Sequence, residues 1–162
     1  MKLSLYTDGS VDSRSKIGYG SYLAVSEDDV FEAALLSRRV RTKRFEHTSS
    51  TRLELEILLW ALGAVEAPDA EVTIYTDSQN ITGLPSRRAR LEGDGYRSKN
   101  NRRLRNTELY QQFFEITDRM DCEFVKVDGH LQSIRKSEKD RLFSLVDRAS
   151  RNALRRYIRS QR

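Results

Sequence analysis

The 162-residue chain has a single cysteine, Cys122, so no disulfide can close within it. Cys122 falls in a strand-like run and reads as a small core residue, and a reducing compartment, the cytoplasm, is the expected location. No apolar run approaches the ~18 residues of a membrane span. The N-terminus reaches Asp8 too soon to leave room for a signal peptide's apolar region. No Cys/His spacing suits zinc, and no Gly-x-Ser-x-Gly turn presents a nucleophile. Gly18 and Gly20 lie inside a strand pattern with no helix after them, so they mark a bulge or a close backbone approach rather than a phosphate loop. Repeats, low-complexity tracts and linkers are absent as well. With 38% hydrophobic residues, the composition fits one domain with a full core, spanning 1–162.

Charge is present in one place above all. Between Ser86 and Asn106 lie Arg87, Arg88, Arg90, Arg97, Lys99, Arg102, Arg103 and Arg105, opposed only by Glu92 and Asp94. That segment carries a net +6 in a chain of net +5, which leaves −1 for everything else. Most charge runs are solvated, self-repelling surfaces. Here Tyr96 interrupts the cations, and a ring among cations suits stacking beside a phosphate-binding groove.

Hydrophobic periodicity supplies the frame. Alternation predicts a strand over Lys2–Asp8, and Ile17–Val25 and Val30–Val40 read as two further strands joined by the acidic turn Ser26-Glu27-Asp28-Asp29. Leu53, Ile57, Trp60, Ala61, Ala64 and Val65 recur at helical spacing over Thr51–Glu66, with Pro68 just beyond. Trp60 falls on that stripe and reads as core. Glu71–Thr76 is a fourth strand, with a short helix after Asp77. The basic segment, a helix over Thr107–Met120 and a fifth strand over Asp121–Val127 follow. A last helix over Glu138–Arg159 puts Leu142, Val146, Ala149, Ala153 and Tyr157 on one stripe. The order specifies an α/β fold: a five-stranded mixed sheet flanked by helices.

Four acids occupy separate corners of that frame. Asp8 and Asp77 end strands, Glu54 sits in the first turn of a helix, and Asp147 lies on the last helix. Carboxylates at strand ends, joined by others from helices on the same sheet, can converge on a pair of hard divalent cations. Each acid also has an ordinary role open to it. Asp8 or Asp77 could cap a turn. Glu54 could favour the helix dipole. Asp147 could pair with Arg151 one turn on.

Order and local wording go further. Tyr6-Thr7-Asp8-Gly9-Ser10, Arg52-Leu53-Glu54-Leu55, Tyr75-Thr76-Asp77-Ser78-Gln79, Gly129-His130 and Asp147-Arg148-Ala149-Ser150 follow one another along the chain. That ordered set resembles type 1 ribonuclease H, from Lys2 to about Leu154. The resemblance implies a ribonuclease H-like fold with a basic helical or loop protrusion at about 86–106. It implies a metal-dependent endonuclease that cuts the RNA strand of RNA–DNA hybrids, leaving 3′-hydroxyl and 5′-phosphate ends. Asp8, Glu54, Asp77 and Asp147 would hold two Mg²⁺ ions, with Mn²⁺ as the alternative metal. His130 would join these acids as a catalytic residue, aiding proton transfer or product release, and its near-neutral pKa range suits either role. Glu54, Ser50, Thr51 and Gln79 would touch the RNA strand, Ser10 would also bind the nucleic acid, and Tyr96, Arg97, Lys99, Arg102 and Arg103 would grip the hybrid. A monomer is expected, with no membrane partner.

The wording also departs from that family. The loop after Ser10 is Val11-Asp12-Ser13-Arg14-Ser15-Lys16 rather than Gly/Pro-rich, and Ser50-Thr51 stands where an Asn pair is frequent. Phe143 replaces an Asn often found four residues before the last Asp. Two other readings stay open on sequence alone: a DNA-directed nuclease of the same superfold, and a non-catalytic hybrid-binding module.

Overall fold

A computed structural model of the chain describes residues 1–65, 69–128 and 137–162. Strands β1 (Lys2–Asp12), β2 (Ile17–Ser26), β3 (Arg41–Phe45), β4 (Glu71–Thr76) and β5 (Asp121–Lys126) form one sheet in the order β3-β2-β1-β4-β5. The β1–β2 and β2–β3 pairs are antiparallel, whereas β1–β4 and β4–β5 are parallel. Helices α1 (Ala33–Ser37), α2 (Ser50–Val65), α3 (Gln79–Thr82), α4 (Leu84–Gly93), α5 (Thr107–Arg119) and α6 (Glu138–Ser160) surround it. The five-stranded mixed sheet expected from the sequence is therefore present.

Side chains alternate across a strand, and here the alternation assigns two cores. Leu5, Val72 and Ile74 pack on one face with Leu55 and Leu58 of α2 and Phe113 of α5. Tyr6 and Leu23 point to the other face, onto Leu142, Phe143 and Val146 of α6. Tyr6 stacks on Tyr75 beneath α6, with ring centroids 4.8 Å apart. A capping box starts α6: Ser137 Oγ accepts from the Asp140 N–H, and the Asp140 carboxylate accepts from the Ser137 N–H at 3.0 Å.

Two sequence expectations change. The strand expected at Val30–Val40 is not there, and the edge strand is Arg41–Phe45. Val30 is exposed, and Glu32-Ala33-Ala34-Leu35-Leu36 forms a short helical turn that buries only Leu36, against the α6 core. Its alanines and leucines are strong helix formers. The first strand is also longer than Lys2–Asp8, because its far half pairs with β2 as far as Asp12. Trp60 and Cys122 meet expectation as half-buried packing residues, and the Trp60 ring meets Tyr22 edge-on at 4.7 Å.

Candidate active site

The site forms where the two central strands part. Parallel pairing of β1 with β4 ends at Tyr6 opposite Tyr75. Asp8 and Asp77 each follow two residues later, at the carboxyl end of the parallel pair, where open α/β sheets place their ligand crevices. Asp8 shares the Tyr6 face and so points toward α6.

A chain of three hydroxyls seats α6 against that point. Ser150 Oγ donates to the backbone oxygen of Asp8 at 3.1 Å and bonds Ser21 Oγ at 2.9 Å. Ser21 Oγ in turn pairs with Thr42 Oγ1 at 2.8 Å, carrying the chain of hydroxyls to β3. Both Ser21 and Ser150 are fully buried, where such groups require partners. This places Asp147, just under one turn before Ser150, in hydrogen-bond contact with the Asp8 side chain.

On the other face, α2 comes unusually close to the sheet. A Cβ at Gly9 would lie 2.5 Å from Ile57, and one at Gly20 would lie 2.2 Å from the same side chain. A larger residue at either position would force the Ile57 side chain to shift, so these glycines leave the room in which the helix that carries Glu54 packs its side chains on the sheet. The close approach expected of Gly18 and Gly20 is what the structure shows. Ser78 then fixes Glu54 itself. Its hydroxyl donates to Glu54 Oε2 at 2.6 Å and accepts from the Ile81 N–H at 3.1 Å, capping α3.

The four acids thus form an open row. Asp8 contacts Asp147 directly and feels the charge of Asp77, and Asp77 acts in turn on Glu54. Burial, the Asp147 hydrogen bond and the two neighbouring charges push the Asp8 carboxyl up to about 9, against a single favourable bond from the Gly9 N–H. Burial also raises Glu54, offset in part by the Ser78 hydroxyl. Among the described residues, no three of these side chains close into a ready-made metal cage. Arg151 pairs with Asp147, the ordinary role open to that acid, which here faces Asp8 as well. Crowded carboxylates in an open row, with Asp8 and Glu54 desolvated and Asp77 exposed, are a donor set for hard cations that retain several waters, so the residues present fit Mg²⁺ or Mn²⁺.

The other candidates lie as follows. Ser50 and Thr51 open α2, both exposed, and Ser50 lies one turn before Glu54 on the same side of the helix. Gln79, exposed, opens α3 next to Ser78. Ser10 follows Asp8 on the same face of β1 and is half-buried. Gly129 and His130 lie outside the described residues.

The basic segment is an organised structure rather than a loose loop. It runs along α4 and doubles back through a bridge between Arg97 and Arg103, closed by Ser98 N–H to Arg102 O at 2.8 Å. Tyr96 is half-buried and lines a cleft with Arg87, Arg90, Arg97 and Lys99. Arg88 belongs to the scaffold, because its guanidinium bonds Glu92 at 2.8 Å and Asp118 of α5 at 2.5 and 2.9 Å. Lys99, Arg102 and Arg103 are exposed.

Sequence reasoning singled out the acids but not the residues that aim them. Ser78 and Ser150 carry hydroxyls in positions that only the fold reveals. The signal for Ser78 was its place between a strand end and a short helix, where a serine caps.

The RNase H family model matches residues 1–150 of the chain. The protein belongs to the ribonuclease H family. Among the curated relatives, the Ribonuclease H of Chlorobium luteolum is 29% identical over 132 residues, 80% of this chain and 84% of its own length. That of Acetivibrio thermocellus is 25% identical over 145 residues, covering 87% and 91%. Two solved structures of foamy viral protease–reverse transcriptase share the fold. One, in complex with double-stranded DNA, gives a TM-score of 0.63 at 9% identity and covers 92% of each chain. The other, in its native form, gives 0.69 at 16% identity and covers 93% of this chain and 20% of that one. Among the described residues of this ribonuclease H family member, no helix is long and apolar enough to cross a membrane.

Proposed function

We propose that this ribonuclease H family member is a metal-dependent endonuclease that hydrolyses the RNA strand of RNA–DNA hybrids, leaving 3′-hydroxyl and 5′-phosphate ends. The observation that carries the reading is the row Glu54–Asp77–Asp8–Asp147 at the mouth of the diverging strands, with Asp8 held against its own ionisation. Asp8 and Asp77 are the central ligands, and Glu54 and Asp147 complete two cation sites. Two bound cations, Mg²⁺ or Mn²⁺, supply Lewis-acid activation of the attacking water and of the leaving oxygen.

The protein's own groups do the rest. The Ser78 hydroxyl orients Glu54 and partly offsets the burial that raises its pKa, and the Ser150–Ser21 bonds hold Asp147 over Asp8. Ser10, Ser50, Thr51 and Gln79 offer hydroxyl and amide groups to the RNA strand, whose 2′-hydroxyl marks it as RNA. Tyr96, Arg97, Lys99, Arg102 and Arg103 grip the phosphates of the hybrid from the protrusion at 86–106. His130, on the resemblance of its Gly-His segment, assists proton transfer or product release. The whole chain works as one catalytic unit, as a monomer in the cytoplasm.

One assay tests this: matched RNA–DNA hybrid, double-stranded RNA and double-stranded DNA, each with Mg²⁺ or Mn²⁺. Only the hybrid is expected to be cut, in its RNA strand. Asp77→Asn keeps the size of the ligand but loses its charge, and lowers the rate by several orders of magnitude without unfolding the protein. Equal cleavage of double-stranded DNA, or near-wild-type turnover by Asp77→Asn, overturns the proposal.

A further inference from the structure

The last part of α6 carries a charge pattern that the catalytic reading does not use. From Arg148 to Arg162 there are six arginines and no acidic residue. Arg151, Arg155 and Arg159 continue the spacing of four that starts at Asp147, so all four stand in one row along the helix, and Arg148 and Arg162 lie beside them. Each of the five arginines is exposed. Arg151 is paired with Asp147, but among the described residues Arg148, Arg155, Arg159 and Arg162 have no ion-pair partner.

Like charges four apart on a helix repel and destabilise it. Arg151–Arg155 and Arg155–Arg159 are two such pairs in succession, with no acid between them to relieve either. The helix dipole favours a cation only in the final turn, where Arg159 lies, and so does not account for the others. The row is also held in place. Tyr157 packs its ring 6.2 Å from Tyr19 of β2, and the Arg44 guanidinium of β3 lies 5.0 Å over that ring, fixing the far end of α6 to the sheet edge. A rigid, unpaired cationic row that begins at a metal-site carboxylate is complementary to a polyanion entering or leaving that site.

We propose that the row formed by Arg155 and Arg159 of α6, with Arg162 just past the end of the helix, binds the phosphate backbone of the nucleic acid flanking the cut, a second contact at the opposite edge of the sheet from the basic protrusion. The proposal rests on the reading of the acids as a nuclease site. Asp147 to Arg159 spans about 18 Å at the helical rise. One strand of a duplex advances about 3.4 Å per nucleotide, so the row tracks roughly five nucleotides beyond the acids.

The experiment compares the wild type with R155Q/R159Q/R162Q on two hybrids. One is just long enough to occupy the acids and the protrusion, and the other is the same duplex extended past the row. None of the three residues touches an acid of the site, so kcat is expected to hold on both substrates. KM on the extended hybrid should rise roughly tenfold, and the log–log salt dependence of its binding should flatten by about three units, one for each phosphate no longer neutralised. The short hybrid should be unaffected, and R155K/R159K/R162K should restore binding by restoring charge. Equal KM changes on both hybrids, or an unchanged salt slope, overturn the proposal. So does a Gln variant that loses binding only to vesicles of anionic lipid or to a polyglutamate peptide. A wild type that binds the extended hybrid through the row but does not cut it leaves this inference standing and removes the nuclease reading instead.

Discussion

Ser78 offers the sharpest separation of a positioning role from a structural one. It is 4% exposed, and its hydroxyl makes two bonds at once: it donates to Glu54 at 2.6 Å and accepts from the Ile81 N–H at 3.1 Å. Ser78→Ala removes both. Loss of a hydrogen bond to a charged group costs about 1.5–3 kcal/mol, and loss of an N-cap about 1 kcal/mol. The two share one oxygen and do not add in full, so a net cost of about 2–3 kcal/mol is expected. For a chain of this size that corresponds to a fall in Tm of roughly 5–10 °C, read by calorimetry in metal-free buffer.

The kinetic consequence has its own sign. Ser78 is the bond that holds the Glu54 carboxyl down against burial and the charge of Asp77. Without it the Glu54 pKa rises further, so the acid limb of the kcat/KM profile should move to higher pH. Ser78→Thr keeps the hydroxyl and should restore both the profile and most of the stability. If Ser78→Ala loses stability while its pH profile overlays that of the wild type, the residue only caps α3, and its role in orienting Glu54 is refuted.

Asp8 ionises near 3.8 when unfolded but at about 9 in the folded, metal-free protein. The folded state therefore holds the extra proton between those values, and stability in chelator should fall as pH rises through that window. Asp8→Asn should flatten the decline and raise Tm at alkaline pH, and added Mg²⁺ should stabilise the wild type more than the variant, both read by thermal melts. Replacing Arg97, Lys99, Arg102 and Arg103 with Ala should raise KM more than it lowers kcat, and the salt slope of hybrid binding should flatten by about one unit for each phosphate released from a cation. His130→Ala should slow turnover by roughly ten- to several-hundred-fold with hybrid affinity nearly unchanged, and a pre-steady-state burst separates slow product release from slow proton transfer.

The fold was legible wherever one periodicity ruled a segment without competition. Leu53, Ile57 and Ala61 on α2, and Leu142 and Val146 on α6, are buried as their spacing required. Val30–Val40 misled because a short apolar run does not by itself distinguish a strand from a short helix, and the helix there buries Leu36 alone. The edge strand that replaced it, Arg-Thr-Lys-Arg-Phe, buries only Phe45 and is held by its pairing with β2, which its own sequence does not announce. The candidate acids could be read from local wording because each carboxylate sits beside its own short motif. Their supports could not, because Ser150 reaches Asp8 across 142 positions and Ser78 reaches Glu54 across 24. Such partners are set by tertiary packing alone.

Charge accounting shows a related limit. The remainder of −1 outside the protrusion is a total that conceals how those charges are arranged. The acids that offset the α6 arginines in the formal total lie elsewhere, among them Glu27 and Asp28 in the β2–α1 turn and Glu71 and Asp121 where β4 and β5 begin. Screening in salt confines each charge to a neighbourhood of about 8–10 Å, so distant acids do not neutralise the row. The same helix therefore presents a half-buried carboxylate at Asp147, packed against Asp8, and bare guanidiniums within about 18 Å of it. Neither half is favourable in the isolated protein: the carboxylates crowd one another, and the arginines repel along the helix. On the two proposals made above, cations at the first and a polyanion at the second would relieve both, and each ligand would then stabilise α6.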